Sequence, residues 1–169
     1  NGDVYINDAF GTAHRAHAST AVIARFFYEN RAFGLLLQGE IEALSKVMTE
    51  PSRPLLAIIG GAKVSSKLAI LENLVDKVDR LMIGGGMAYT FVLAQGGKVG
   101  NSLVEEDMVG RAEAILEKAA ARGVEVYLPL DSVCADKFAA DANVAVHATS
   151  EIPDGWMGLD IGPASSERF

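Results

Sequence analysis

The stretch PLLAIIGGAKVSSK, Pro54 to Lys67, decides the fold. Leu55 to Ile59 is a continuous apolar run, the pattern of a strand buried on both faces. Gly60 and Gly61 follow, and from about Ser65 the spacing changes. Leu68, Leu71, Leu74, Val75 and Val78 recur every three or four residues, which lays them on one face of a helix. The same order is then repeated. Leu81 to Ile83 is a second strand, Gly84 to Gly86 a second glycine turn, and a helical run starts at Met87. Ser102 and Glu105 have the spacing of a capping box, which predicts a further helix. That helix carries Ile115, Leu116 and Ala119 inward and ends at Gly123. Val124 to Leu128 reads as a third strand, with Val144 to Val146 and Met157 to Ile161 as shorter candidates. Strand, glycine turn and helix in alternation predict an α/β fold: a parallel sheet joined by right-handed crossovers, with flanking helices. Ligands of such sheets sit at the carboxyl ends of the strands, where these glycine turns lie.

Ahead of this block, Val4 to Ile6 reads as a buried strand and Asn7 to Ser19 as a loop. Gly39 to Thr49 reads as a helix, with Ile41, Leu44, Val47 and Met48 at helical spacing and Pro51 as its stop. With Pro51 and Pro54 behind it, this helix reads as a connector between two bodies. The first strand lies within the opening residues, and Glu167 to Phe169 stop where a helix begins. Both ends therefore look cut, and the chain is expected to be the middle portion of a longer one.

Composition narrows the ligands. The 169 residues are half apolar and carry a formal net charge of −7. An acidic surface repels nucleic acid and anionic membrane, so neither is expected as a partner. An anionic ligand must then be held by local cations or by helix N-termini. The most apolar stretch, Leu81 to Ala94, is interrupted by glycines and too short to span a bilayer. Cys134 is alone, which excludes an internal disulfide and fits a reducing compartment.

Four segments carry the candidate chemistry. In GGAKVSSK, Gly60 to Lys67, glycines let backbone amides approach an anion, and Lys63 and Lys67 stand one helical turn apart. It is neither a Walker A loop nor a G-x-G-x-x-G fingerprint, so a dinucleotide dehydrogenase is a poor match. The alternative is a tight turn with two solvated lysines. In GGGMAYTF, Gly84 to Phe91, successive glycines leave a turn bare of side chains, against which a flat ring such as adenine can lie. Close packing of helix on strand is the alternative. In NDAFGTAHRAHAS, Asn7 to Ser19, Arg15 offers a planar fork for phosphate or carboxylate, with His14 beside it; an ion pair with Asp3 or Asp8 is the alternative. DGWMGLDIGP, Asp154 to Pro163, places the single Trp156 beside glycines and by itself points to no chemistry. No His or Cys set has zinc spacing, no nucleophile elbow occurs, and no carboxylate pair is marked out for acid–base work.

Together NDAFGTAHRAHAS, PLLAIIGGAKVSSK, LMIGGGMAYTF and GWMGLDIGP, with LPLDSVCADKF between them, resemble the phosphoglycerate kinase family in the same order. The resemblance runs over essentially the whole chain. It implies a Rossmann-like fold of two domains joined by a helix and a hinge, of which this chain is part. Residues 1–38 would end the N-terminal, phosphoglycerate-binding domain. Residues 39–50 would form the interdomain helix, and residues 51–169 part of the C-terminal nucleotide domain.

The resemblance further implies reversible phosphoryl transfer between ATP and 3-phosphoglycerate, giving 1,3-bisphosphoglycerate and ADP, with Mg2+, in a cytoplasmic or plastid monomer. Arg15, with His14 beside it, matches the phosphoglycerate contact. Gly61, Ala62 and Lys63 match the turn at the nucleotide phosphates. Lys63 matches the lysine that stabilises the transferring group, and Lys67 a further ATP lysine. Gly84 and Gly85 match the turn under the adenine, and Gly158 and Leu159 its other side. Many members have Asp before the second lysine; Ser66 stands there, which puts a metal-linked role at that position in doubt. The family's other phosphoglycerate arginines, its ribose carboxylate and its GGGDT-like segment have no counterpart here. The chain alone is therefore expected to be inactive, at most a nucleotide-binding fragment.

Overall fold

The computed structural model describes residues 2–169, which form two compact units meeting between Ser52 and Arg53.

In the first unit, strand β1 (Tyr5–Asn7) pairs in parallel with β2 (Arg31–Phe33), Tyr5 opposite Arg31. Short helical turns at Phe10–Thr12, Ala18–Val22 and Ile23–Phe26 fill the crossover read as a loop. The expected burial of the first strand fails: Val4 and Ile6 are more than half exposed, because one neighbouring strand covers neither face. Helix α1 (Leu35–Thr49) starts a turn earlier than its apolar spacing indicated. Its N-cap is Gly34, which has no side chain to offer the first free amides. Asp8 substitutes, accepting the Leu37 amide at 2.8 Å. Leu37 is the helix's buried residue, whereas Ile41, Leu44, Val47 and Met48 stay substantially exposed.

The second unit holds the parallel sheet. Strands β3 (Leu56–Gly60), β4 (Arg80–Gly84) and β6 (Glu125–Tyr127) lie in the order β3-β4-β6, with Gly60 opposite Gly84. The connections carry α2 (Leu68–Leu74), α3 (Met87–Ala94), the short strand β5 (Lys98–Val99) and α4 (Val109–Ala121). Because the crossovers step in one direction across the sheet, their helices share a face. The core forms there, where Leu81 and Ile83 meet Leu71, Val75, Phe91, Ile115 and Ala119. Burying each large side chain stabilises the fold by roughly 1.5–3 kcal/mol. The other face is open at β3, whose Ile58 is 67 % exposed, so that strand is not buried on both faces as its apolar run indicated. The run was continuous because β3 needs strand-forming residues throughout; only alternate ones, Ala57 and Ile59, turn toward the helices.

Helix α4 ends as expected. Val124 and Gly123 donate back to the Ala119 and Ala120 carbonyls, at 2.9 and 3.1 Å, in a Schellman closure. Its start differs from expectation. A 3₁₀ turn at Glu106–Met108 precedes it, and neither Ser102 nor Glu105 caps it. Both side chains are taken by distant partners. The Ser102 hydroxyl accepts the Gly158 amide at 2.9 Å, and the Glu105 carboxylate reaches Ser65.

A second, antiparallel sheet completes this unit. Strand β7 (Asp131–Ala135) is central between β8 (Val144–Ala148) and β10 (Met157–Ile161), while β9 (Glu151–Ile152) pairs with β5. Helix α5 (Pro163–Arg168) follows, its first amides held by Asp131. Tyr89 and Val92 of α3 pack with Cys134, Ile152 and Trp156 in a second cluster. Helix α3 is thus covered on opposite sides, by the parallel sheet and by this cluster. That is why it is apolar all round rather than amphipathic.

Candidate functional site

The glycine turns of β3 and β4 come together at the carboxyl edge of the sheet. Gly61 and Gly85 both have positive φ, 145° and 67°, which L side chains rarely adopt. The two backbones touch: a Cβ on Gly85 would meet the Gly61 amide nitrogen at 2.8 Å. The Gly61 carbonyl in turn accepts the amide of Met87, the first residue of α3, at 2.8 Å. One turn therefore satisfies a free donor of the helix that the other turn begins. Gly84 itself ends its strand, and a Cβ there would meet nothing within 4 Å.

Residues 61–67 form turns rather than helix, with the Lys67 amide donating to Val64 at 2.9 Å; α2 begins only at Leu68. Lys63 and Lys67 are thus not successive turns of one helix. Val64 between them is fully buried and pins the loop into the core. The Lys67 side chain instead lies over Gly61, its Nζ 2.6 Å from where a Cβ would stand. Lys63 is exposed, and among the described residues neither lysine forms an ion pair. Ser66, the residue that departs from the family pattern, donates its hydroxyl to the Lys63 carbonyl at 2.9 Å and closes the turn.

Beside the turns opens a cleft of about 430 Å³, within the roughly 300–1,000 Å³ of small-molecule sites. Ala62 and Gly86 give it a backbone wall; Met157, Gly158 and Leu159 form the opposite side, and Leu103, Phe138, Tyr89 and Asn101 complete it. Leu103, Leu159 and Phe138 are 52, 47 and 85 % exposed, so apolar surface gathers where solvent still reaches it. Tyr89 fixes the far wall. Its ring lies so close to Gly158 that any Cβ there would overlap the hydroxyl. Burial raises the Tyr89 pKa, with the Ser132 hydroxyl 3.5 Å away as partner, so the phenol stays neutral. Trp156, next to Met157, packs edge-on against His147 at 5.3 Å. Two larger grooves flank Glu151, but no residue given a ligand role from the sequence lines either.

The structure therefore groups Gly61, Ala62, Lys63, Lys67, Gly85, Gly158 and Leu159 about one edge, with Gly84 just inside it. Of the other lining residues, Gly86 belongs to the glycine turn read from the sequence, Tyr89, Phe138 and Met157 lie within quoted segments but were given no role, and Asn101 and Leu103 lie outside them. The sequence signal for Leu103 was an apolar residue in a polar loop, which core residues share; Phe138 closes LPLDSVCADKF, a segment that carried the family resemblance without assigning it a role. His14 and Arg15 belong to the first unit. There Arg15 Nε donates to His14 Nε2 at 3.2 Å, and among the described residues Arg15 pairs with neither Asp3 nor Asp8. Asp8 is instead the acceptor at α1.

A parallel sheet with bare, lysine-bearing turns at its carboxyl edge, next to an apolar cleft, is the architecture of the α/β nucleotide-binding proteins. The family model described as phosphoglycerate kinase matches residues 1–169, and the chain belongs to that family. It is 56 % identical over 167 residues to the cytosolic phosphoglycerate kinase of Nicotiana tabacum, covering 99 % of this chain and 41 % of that one. It is equally 56 % identical over 167 residues to phosphoglycerate kinase 2, chloroplastic, of Arabidopsis thaliana, covering 99 % and 35 %. The solved phosphoglycerate kinase of Coxiella burnetii superposes with a TM-score of 0.85 at 43 % identity, covering 98 % of this chain and 42 % of that one. The chain thus spans about two fifths of the length of the curated relatives it matches.

Proposed function

We propose that this chain supplies about half of the nucleotide site, and one phosphoglycerate contact, of a kinase that moves a phosphoryl group reversibly between ATP and 3-phosphoglycerate. The observation that carries the reading is the contact of two side-chain-free turns, at Gly61 and Gly85, with lysines at their rim and the apolar cleft beside them. The adenine ring lies in the cleft between Gly86 and Gly158–Leu159. The phosphates run toward Gly61, Ala62, Lys63 and Lys67. In the first unit Arg15, with His14, meets the phosphoglycerate. Residues 1–38, 39–50 and 51–169 correspond to the end of the acceptor domain, the linking helix and the partial nucleotide domain.

The acceptor is a carboxylate, already ionised at neutral pH, so no general base is required. The work left to the protein is to bring two anions together and to neutralise charge on the moving phosphoryl group. The exposed Lys63 ammonium does the latter, its contact strengthening as charge shifts in the transition state. With donor and acceptor on separate domains, hinge closure joins them. The residues described do not make a magnesium cage: the Glu105 carboxylate is held by Ser65 and the Ser66 hydroxyl by the Lys63 carbonyl. Magnesium would arrive with the nucleotide, whose phosphates would supply its ligands. We assign the protein to the cytoplasm or a plastid, as a monomer.

The test is Lys63→Ala in the full-length protein, with turnover and nucleotide affinity measured separately. Turnover is expected to fall far more than affinity; a loss confined to affinity rejects the role. A second reading is favoured by the length the chain spans: the 169 residues alone bind nucleotide without turning over. A coupled assay that detects robust ATP formation from 1,3-bisphosphoglycerate by the chain alone rejects that reading.

A further inference from the structure

Glu105 lies outside the four segments assigned chemistry above and does not cap α4, yet it grips the turn that carries Lys63. Its Oε2 accepts the Ser65 amide at 3.0 Å and its Oε1 accepts the Ser65 hydroxyl at 2.5 Å, so both carboxylate oxygens hold one residue. Its own backbone amide donates at 3.2 Å to the hydroxyl of Thr90, which is 1 % exposed on α3. Glu105 is thereby fixed to the helix that starts at the second glycine turn while holding the first. Two residues earlier on the same segment, Leu103 lines the cleft and packs at Gly86. One short stretch of chain therefore joins the apolar wall to the lysine-bearing turn. The partners also favour the ionised carboxylate. The Ser65 hydroxyl most, then the Ser65 amide, with smaller help from the Val64 amide and the Lys63 charge, lower the Glu105 pKa.

We propose that Glu105 is a positioning residue, which holds the Lys63 turn for the phosphate end of a nucleotide and couples that turn to the Leu103 wall. Glu105 touches no substrate in this scheme; it acts through Ser65. The carboxylate occupies the Ser65 amide, so phosphate oxygens are left to Lys63, Lys67 and the amides nearer Gly61. The proposal rests on the nucleotide reading given above.

Adenosine and ADP separate the two ends of the ligand. Titrations of Glu105→Ala and of the isosteric Glu105→Gln, followed by Trp156 fluorescence, are expected to show ADP affinity reduced about tenfold in the alanine variant, as loss of one or two charge-assisted hydrogen bonds predicts. The glutamine variant falls less, because one acceptor oxygen remains, and adenosine affinity holds within about twofold in both. Equal losses for adenosine and ADP, or an ADP affinity that is unchanged or increased, overturn the proposal. If the unaltered chain binds neither ligand, the nucleotide reading fails, and amide exchange still decides the positioning role. Exchange at Ser65 that is at least about tenfold faster in Glu105→Ala, with the Phe91 amide unchanged, supports it; unchanged exchange at Ser65 overturns it.

Discussion

A Cβ built on Gly85 falls 2.8 Å from the backbone nitrogen of Gly61 and 2.9 Å from its carbonyl oxygen. Two strand ends far apart in sequence have thus closed to a separation that only glycine permits. The same Gly85 sits at a φ of 67°, so an alanine there meets both a steric and a conformational penalty. Gly85→Ala is expected to lower stability by about 2–5 kcal/mol, the sum of a left-handed residue and overpacking. Urea unfolding measures it. Gly110 lies inside α4 with nothing near its missing side chain. Gly110→Ala is expected to raise stability by about 0.5–1 kcal/mol in the same assay.

Phe138 separates ligand binding from folding. It is 85 % exposed and lines the cleft. Phe138→Ala should change stability by no more than about 0.5 kcal/mol, while weakening the binding of adenosine and ADP alike. Calorimetry on the purified chain checks both; equal adenosine affinity in variant and parent removes Phe138 from the base site.

The Lys67 side chain lies over Gly61, next to Ala62 of the cleft wall. Lys67→Met keeps much of the stem and removes the charge. ADP affinity is expected to fall about tenfold, for one lost charge-assisted contact, with adenosine affinity unchanged and a weaker salt dependence of ADP binding. A salt dependence equal to that of the parent would place the ammonium away from the phosphates.

Asp79 gives a pH prediction. The Leu55 amide at 2.6 Å, more than the Arg53 guanidinium at 2.7 Å, holds its pKa below the ordinary value against a desolvation penalty. A lowered folded pKa means that the unfolded chain takes up the proton first as pH falls. The contribution is therefore complete above the unfolded value of about 3.9 and is lost below it, down through the folded value. Thermal unfolding scans from neutral pH to about pH 2 should show a falling midpoint, with a shallower fall for Asp79→Asn. Parallel curves for the two proteins would contradict this.

Much of the parallel sheet was legible because its signals are local. Apolar runs ending in glycine at Gly60 and Gly84, and the change to helical spacing, expected from about Ser65 and found from Leu68 in one case and at Met87 in the other, are imposed by neighbours along the chain. The position of the glycine turns at the sheet edge followed from strand order alone. The antiparallel strand β7 was not legible. DSVCA carries Asp131 and Ser132, which look solvated in sequence but are held by the helix α5 amides and by Thr149. The capping-box spacing of Ser102 and Glu105 misled for a related reason: their oxygens found partners at Gly158 and Ser65 rather than at α4.

Taken alone, the sequence determined the alternation of strand, bare turn and helix, the lysines that edge the turn, and membership of a family through ordered motifs. Tertiary structure decided which glycine touches which, that Lys67 covers Gly61 rather than sharing a helix with Lys63, and that Leu103 and Phe138 wall a cleft instead of filling a core. Backbone periodicity is set within a few residues by φ, ψ and side-chain volume, so it can be read from neighbours. A hydrogen bond such as that of Glu105 to Ser65 spans 40 residues, and it exists only after the chain has folded those two turns together.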